Sequence, residues 1–309
     1  MRVKLDRILC TTDFSGFSNY TIPYGVALAK EYGSKLFVCH VIELPFAAMY
    51  GEVQLDPIEQ QNRIEQQNRM VNYAHEQLSK LFEKEAVEWE PVVTIGHTSD
   101  EIARLIEKEH MNLVISATHG RSGLKRLLLG SVTERLMRTV SCPLLIVHGK
   151  ESGDLALPTE VFKLKRILVG HDFSEDSDMA LKYALSMAQE FEAELHLAHV
   201  VEPPVYQDIL TANGSSVPAS EQSRMSQLID KLKQMIPEEA RNWCAVAPTL
   251  LEGKADEALT RYADQNDIDL IALGVRGHGL VETLFVGSTT DRVARRASCP
   301  VLSVRAEAN

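Results

Sequence analysis

Short apolar blocks alternate with longer amphipathic segments along this chain. Near-continuous apolar runs predict strands that are buried on both faces, as the strands of parallel sheets are. In the first half we predict strands at residues 7–12, 35–41, 92–96, 113–117 and 144–147. In the second half we predict them at residues 166–170, 194–201, 245–251, 268–273 and 301–304. Strands that alternate with helices imply parallel β-α-β units with right-handed crossovers.

Amphipathic segments connect these strands. In the first half, the spacing of apolar residues predicts helices at residues 18–32, 57–84, 99–110 and 131–142. The segment at residues 203–220 instead contains three prolines and several serines, which predicts a loop that overhangs the strand ends. Ligands usually bind at the carboxyl ends of parallel strands, so we expect a site at that edge of each sheet.

The two halves of the chain repeat one another. The motif Asp-Phe-Ser at residues 13–15 recurs at residues 172–174, an offset of 159 positions. The motif Ser-Cys-Pro at residues 141–143 recurs at residues 298–300, an offset of 157 positions. Two long blocks at a nearly constant offset indicate a duplicated domain.

This duplication sets the predicted domain organisation. We expect one domain at residues 1–148, a linker rich in Gly, Ser, Asp and Pro at residues 149–164, and a second domain at residues 165–309. The predicted fold class is α/β, with two tandem open parallel five-stranded sheets flanked by helices.

Composition narrows the class of protein. The chain has 309 residues, 45% apolar and 24% charged, which suits two soluble domains. Its net charge of −11 argues against nucleic-acid or anionic-membrane partners. It has no apolar run long enough to span a bilayer and no signal-peptide pattern. Five cysteines without a CxxC pair favour reduced thiols, so we expect a cytoplasmic protein.

A glycine-containing segment follows the fourth strand of each half. In the second half, Gly-Val-Arg-Gly at residues 274–277 is followed by nine residues and Gly287-Ser288. In the first half, Ala-Thr-His-Gly at residues 117–120 is followed by nine residues and Gly130-Ser131. Glycine reaches positive φ and lets the backbone approach a bulky anion. The helix start that follows offers free N–H groups and a positive dipole end, which suits a phosphate chain.

Two polar residue types near these segments have structural and ligand-binding interpretations. Ser131 and Ser288 each begin a pattern that resembles a capping box, so we expect them to cap helices and also to contact phosphate. Asp13 and Asp172 each end a strand and are expected to cap the next helix. Beside a bound nucleotide, an Asp would have to meet a hydroxyl, an adenine donor or a bridging Mg²⁺.

The histidines favour packing over metal binding. His40 and His199 are expected to be packed strand-end residues with one bonded nitrogen. A zinc site would require His171, His199 and His278 to converge with Asp172 at one end of the second sheet. No CxxC or helical HxxxH spacing supports such a site. We therefore predict no metal site. Arg276 is expected either to direct its charge towards an anion or to be solvated.

Three features together resemble the universal stress protein family. They are a first strand that ends in Asp, a second strand that ends in His-Val, and a late Gly-x2-Gly-x9-Gly-Ser loop closed by Cys-Pro and a final strand. The resemblance covers nearly the whole chain and is to a tandem, two-domain member. It implies Rossmann-like sheets of the adenine nucleotide alpha hydrolase kind. It also implies that ATP binds, with or without Mg²⁺, in members that keep the loop.

Carried onto this chain, the resemblance implies an adenine-nucleotide site in each domain. We expect the second site at Asp172, Val200, Gly274, Gly277, His278, Gly287, Ser288 and Thr289. We expect the first site at Asp13, Val41, Ala117, Gly120, Arg121, Gly130, Ser131 and Val132. The second site keeps all three glycines, whereas Ala117 replaces one of them in the first site. The first site has the positive charge of Arg121, which the second site lacks. We favour the second site for its glycines.

The predicted function is that of a nucleotide-binding regulatory protein in stress responses, with slow or no ATP hydrolysis and no catalytic residue. The alternatives are an ATP-hydrolysing or adenylating enzyme of the same fold group and a scaffold for a non-nucleotide ligand. No P-loop or GxGxxG motif supports the enzyme. In the family the terminal strands meet across a two-fold axis, so we expect an internal pseudo-dimer of the halves, with a homodimer as a further arrangement.

Overall fold

A computed structural model describes residues 2–44, 56–82, 87–118, 129–148, 164–202, 219–277 and 286–306. The chain divides into two compact units. One contains Lys4–Phe162, and the other contains Lys163–Asn309 together with Met1–Val3. In the described residues, no helix is long and apolar enough to cross a membrane.

The first domain is an open parallel sheet with helices against it. Its elements are β1 Arg7–Thr11, α1 Gly16–Asn19, α2 Thr21–Tyr32, β2 Lys35–Ile42, α3 Pro57–Phe82, β3 Trp89–Ile95, α4 Thr98–Glu109, β4 Leu113–Ala117, α5 Ser131–Thr139 and β5 Leu144–Val147. The strand order is β3-β2-β1-β4-β5, with every neighbouring pair parallel. Strands β4 and β5 are buried along their whole length, which explains their continuous apolar sequences.

The second domain repeats this architecture. Its elements are β6 Arg166–Gly170, α6 Glu175–Phe191, β7 Glu194–Val201, α7 Ala219–Met235, a 3₁₀ helix Glu238–Asn242, β8 Val246–Glu252, α8 Ala255–Gln265, β9 Leu270–Gly274, α9 Ser288–Arg296 and β10 Val301–Val304. The order of its strands is β8-β7-β6-β9-β10, again all parallel. The predicted α/β class with two parallel five-stranded sheets is confirmed.

Each sheet has one point at which the strand order reverses. Strand β1 pairs with β2 on one side and with β4 on the other, and β6 lies in the same way between β7 and β9. The connections leave the first strand in opposite directions, so a crevice forms beyond its carboxyl end. This topology places the strand-end Asp residues next to the glycine-containing segments.

Several element boundaries differ from the sequence prediction; the helix predicted at residues 18–32, for example, is divided into α1 and α2. Strand β3 starts at Trp89 and includes Pro91, because β3 is an edge strand where a missing N–H is tolerated. Within the predicted loop at residues 203–220, Ala219 and Ser220 already belong to α7. The rest of that loop, and residues 149–163 of the predicted linker, lie outside the described residues.

Candidate functional site

A cavity opens at the carboxyl edge of each sheet. The first has a volume of about 870 Å³ and the second of about 510 Å³. Predicted residues that line the first are Asp13, Val41, Ala117, Gly130, Ser131 and Val132. Predicted residues that line the second are Asp172, Val200, Gly274, Gly277, Gly287, Ser288 and Thr289. Gly120, Arg121 and His278 lie outside the described residues. Each domain therefore brings its predicted site residues together at one cavity, as far as the structure describes them. Contact of these residues with a nucleotide stays a prediction.

The strand-end Asp residues do not cap the helices that follow them. In the second domain the N-cap is Ser174, whose hydroxyl accepts from the backbone N–H of Ser177. Asp172 Oδ1 accepts from the Ser174 N–H at 3.1 Å and from its hydroxyl at 2.5 Å. The predicted cap is wrong because the serine two residues later has the right reach, and the carboxylate instead orients that serine.

The first domain builds the same turn with a small variation. Ser15 caps α1 by accepting from the Ser18 N–H. Asp13 Oδ1 accepts from the Ser15 N–H at 3.0 Å and from the Ser18 hydroxyl at 2.6 Å. The Asp carboxylate is therefore held at the cavity rim in both domains.

Sequence reasoning missed a strained residue inside this turn. Phe14 and Phe173 have φ of 63° and 65°, a left-handed conformation that non-glycine residues adopt at a cost of roughly 1–2 kcal/mol. The N–H of Phe14 donates to Thr12 Oγ1 at 2.9 Å, and that of Phe173 donates to His171 Nδ1 at 3.1 Å. The only signal in the sequence is the recurrence of Asp-Phe-Ser at the same topological place.

The strand-end histidines are packed, as predicted. His40 Nδ1 donates to the carbonyl of Thr12 at 2.9 Å, and His199 Nδ1 donates to the carbonyl of His171 at 2.7 Å. Their rings pack against the phenylalanine of the turn, at centroid distances of 4.2 Å for His40 and 4.6 Å for His199. Within the described ranges, no group of three or more His, Cys, Asp and Glu side chains is placed to hold a metal ion.

The glycines of the second site are required by packing, not by positive φ. In the described part of the chain, the only glycines with positive φ are Gly33 and Gly253, so that expectation is wrong for the second site. A Cβ atom at Gly277 would lie 2.7 Å from Asp172 Oδ2. The absence of a side chain at Gly277 thus leaves room for the Asp carboxylate.

The first glycine of the segment has a similar explanation. A Cβ atom at Gly274 would lie 2.8 Å from the backbone carbonyl carbon of Asp176, at the start of α6. In the first domain Ala117 ends β4 at the corresponding place. Its Cβ needs no special backbone conformation, since the counterpart Gly274 has no positive φ.

The helices that begin at the cavities are capped by glycine rather than by serine. Gly130 and Gly287 are the N-caps of α5 and α9, and neither helix has a side-chain cap bond. Ser131 and Ser288 are instead the first helical residues, and both are exposed. The predicted capping boxes are therefore wrong, and both hydroxyls lie at cavity walls.

A threonine ties each helix start to the strand before it. Thr133 Oγ1 donates to the carbonyl of Ala117, and Thr290 Oγ1 to that of Gly274, both at 2.6 Å. In α9 the first backbone bond runs from the Asp291 N–H to the Gly287 carbonyl. Helix geometry leaves the N–H groups of residues 288–290 without intrahelical acceptors at the cavity wall. An anion there would meet the positive end of the helix dipole.

Arg276 is neither solvated nor directed at an anion. Its backbone N–H donates to Asp176 at 2.8 Å, and its Nε and Nη2 donate to the same carboxylate at 3.1 and 3.0 Å. The Asp176 side chain is only 4% exposed. Hydrogen bonding to this carboxylate raises the pKa of Arg276. The pair fixes the start of the loop and neutralises the charge that was expected to face a ligand.

Sequence reasoning also missed a carboxylate on the far side of each cavity. Glu43 Oε1 accepts from the N–H of Thr98 at 3.1 Å and from its hydroxyl at 2.6 Å. These bonds lower the pKa of Glu43 and satisfy the start of α4. Glu202 accepts from the N–H of Ala255 at 3.4 Å at the start of α8. Both residues line their cavities.

Comparison with known proteins agrees with this architecture. The sequence model of the Universal stress protein family matches residues 4–148 and 163–305. The universal stress protein Slr1230 of Synechocystis is 22% identical over 97% of this chain and 100% of its own length. A Thermus aquaticus universal stress protein is 32% identical over 46% of this chain and 98% of its own.

A solved structure shows the same fold. The crystal structure of a universal stress protein from Archaeoglobus fulgidus aligns with a TM-score of 0.67 and 23% identity, covering 98% of this chain and 99% of that chain. Fold and cavities together define a two-domain α/β protein with a cavity at the carboxyl edge of each parallel sheet. The two matches to the family model identify the family of each domain. The chain belongs to the universal stress protein family, in tandem form, and the resemblance noted in its sequence is confirmed.

Proposed function

We propose that this protein binds ATP, regulates stress responses through that binding, and hydrolyses ATP slowly or not at all. The observation that carries the proposal is the same arrangement in both domains. A strand-end Asp, the end of the second strand and a helix start without a side-chain cap surround one cavity. A repeated site of this composition suits a ligand that has both a sugar and phosphates.

The residues present fit a nucleotide. The start of α9 offers three backbone N–H groups to phosphate. Asp172 would accept from a ribose hydroxyl, since a carboxylate next to phosphates repels them unless a donor lies between. The adenosine would lie towards Val200, and the volume of about 510 Å³ is within the range of ligand pockets. Mg²⁺, where it accompanies ATP, is typically bound through phosphates and water with few protein ligands.

The surroundings of Ser288 support the proposal of slow hydrolysis. Asp291 is the acid nearest to Ser288 in sequence, and both of its oxygens accept from Arg295 at 2.9 Å. A serine nucleophile needs an adjacent base. Among the described residues, no hydrogen bond joins Ser288 to one. Ser288 is therefore proposed as a ligand to phosphate.

Several expectations from the sequence stay predictions. We propose a cytoplasmic location, consistent with the five cysteines, all of which are free. We also propose that the two domains form an internal pseudo-dimer through their terminal strands, with domain boundaries at residues 148 and 165. Protein partners would respond to the nucleotide state.

Mass spectrometry of ligands released from the purified protein, followed by phosphate-release assays, tests the proposal. We expect adenine nucleotide to be released, and turnover well below about 1 per second with saturating ATP and Mg²⁺. Turnover at or above that rate would favour an enzyme. A non-nucleotide ligand, together with no ATP binding, would favour a scaffold and contradict the proposal.

A further inference from the structure

Helix α3 carries a stripe of four side chains along the wall of the first cavity. Gln66, Arg69, Met70 and Tyr73 all line this cavity. Their spacing of three and four residues places them on one face of the helix. An amide, a guanidinium, a thioether and a phenol together suit a planar ligand with a polar edge.

The same face anchors α3 on the sheet farther along the helix. Ala74, Leu78 and Phe82 continue the row at four-residue intervals, and all three are buried. Phe82 stacks on Trp89 of strand β3, with ring centroids 4.3 Å apart. The stripe lies in the two turns that precede this anchor, where the row reaches the cavity. Core contacts of α3 therefore hold the wall in place.

The stripe leaves aromatic and cationic groups uncovered. Tyr73 is 62% exposed and Met70 is 37% exposed. Arg69 has no ion-pair partner among the residues that the structure describes. Covering apolar and aromatic surface is favourable, and an arginine can lie over an aromatic ring. A planar ring stacked on Tyr73 would also cover Met70 and contact the guanidinium of Arg69.

Strand order shows which part of a nucleotide would meet this wall. Helix α3 packs on β2 and β3, whereas α5 begins after β4. Strand β1 lies between β2 and β4. Two strand spacings of about 4.8 Å therefore separate the two walls by about 10 Å. If the phosphates bind at the start of α5, the base of the nucleotide lies towards α3.

We infer that the first cavity is selective for purine nucleotides, with Tyr73 stacked on the base and Gln66 and Arg69 at its edge. Glutamine pairs with the N6–N7 edge of adenine, and arginine pairs with the O6–N7 edge of guanine. Pyrimidines have no such edge. The inference rests on the proposed nucleotide-binding function and adds base selectivity and a difference between the two sites.

In the described part of the second domain, no helix provides an equivalent wall. Among the described residues, none from α7 lines the second cavity. The offset of 154 positions that matches the buried Leu78 of α3 to the buried Leu232 of α7 places Gln227 opposite Tyr73. Helix α7 instead places Lys231 Nζ 3.8 Å from the centroid of the Phe173 ring. The first site should therefore be the tighter one, which reverses the preference drawn from the sequence.

Calorimetric titration of the full chain with ATP, GTP and UTP tests this inference. At the tighter site we expect ATP and GTP to bind about tenfold or more tightly than UTP. Tyr73→Ala should weaken ATP binding about tenfold, the usual loss when a stacking aromatic is removed. Tyr73→Phe should retain the affinity because it keeps the ring. Ile64→Ala is the matched control, since Ile64 is 48% exposed on the same helix and does not line the cavity.

The outcomes separate the inference from the proposed function. ATP binding that is unaffected by Tyr73→Ala, or equal affinity for UTP, would overturn the base-selective wall and leave nucleotide binding intact. Loss of affinity in both Tyr73→Ala and Ile64→Ala would overturn the wall as well, because it would indicate a general effect on α3. If the wild-type chain binds none of the three nucleotides, the proposed function fails with it.

Discussion

One position in the strand-end turn uses different chemistry in the two domains. Thr12 accepts from the Phe14 N–H and donates to Asn19 Oδ1 at 2.9 Å, so its role is independent of pH. His171 accepts from the corresponding N–H on Nδ1, which leaves the neutral ring's proton on Nε2, directed at Asp178 Oδ1 3.2 Å away. The His171 side chain is fully buried, and this burial lowers its pKa.

The histidine should make the second domain sensitive to acid. Below about pH 6.5 an unfolded chain binds a proton at this histidine, while the folded state resists because its pKa is lowered. Stability is thus lost as pH falls from about 6.5 towards the folded pKa. Asp178 and Asp172 oppose the shift, and His199 adds to it.

The test of this pH dependence replaces His171 and Asp178 by their first-domain counterparts, Thr12 and Asn19. In His171→Thr/Asp178→Asn, the thermal unfolding midpoint of the second domain should fall less between pH 7 and pH 5 than it does in wild type. His196, whose pKa is also lowered by burial, is unchanged in both proteins and cancels in the difference. Equal slopes for the two proteins would show that His171 is not the sensor.

Two hydroxyls at the start of α9 should have separable roles. Ser288 is exposed and caps nothing, so Ser288→Ala should weaken ATP binding by about 1 kcal/mol with little change in unfolding free energy. Thr290 donates to the carbonyl of Gly274, so Thr290→Val should lower the unfolding free energy by about 1 kcal/mol. Calorimetry and urea denaturation of both variants check this. A Ser288→Ala protein that loses stability but not affinity would refute the assignment.

At the scale of the element, the ends of two equivalent helices differ. The C-cap of α2 is Gly33 with φ of 69°, whereas that of α6 is Glu192 with φ of 52°. A left-handed C-cap is strained for any residue with a Cβ atom, and glycine relieves that strain. A Cβ atom at Gly33 would meet nothing within 4 Å, so only the conformation matters there.

Substitutions at the two C-caps should shift the unfolding free energy in opposite directions. Glu192→Gly should raise the unfolding free energy by roughly 0.5–1 kcal/mol, and Gly33→Ala should lower it by about 1 kcal/mol. Glu192 is exposed, so its own contacts contribute little. Urea denaturation of each variant measures the change. Destabilisation by Glu192→Gly would mean that the left-handed cap is not the controlling feature.

Central strands such as β4 could be predicted because burial on both faces leaves a continuous apolar signal in the sequence. The starts of α5 and α9 at Ser131 and Ser288 could be predicted as well, but their N-caps could not, although both segments match the capping-box pattern. Their N-caps are set by long-range backbone bonds, from the Gly130 N–H to the Thr118 carbonyl and from the Gly287 N–H to the Val275 carbonyl. Local patterns do not report such bonds. The Asp176–Arg276 pair, 100 residues apart in sequence, was missed for the same reason.

At the scale of the whole molecule, duplication has kept one architecture and changed the two cavities. Strand order and the Asp-Phe-Ser turn are common to both domains. The first cavity gains a wall from α3, and the second gains a buried ion pair at its loop. Motif matching predicted residues at the strand ends and helix starts of both cavities. It favoured the second site, because the side chains that α3 adds to the first cavity lie outside the motif.

Calorimetric titration of ATP into the full chain, with and without Mg²⁺, shows whether each domain binds one nucleotide. We expect two ATP molecules per wild-type chain and one in Gly277→Val, since a side chain there would meet the Asp172 carboxylate. The variant should remain folded, because Gly277 lies in a loop at the cavity rim. No saturable binding at millimolar ATP, or an unchanged stoichiometry in Gly277→Val, would contradict the account.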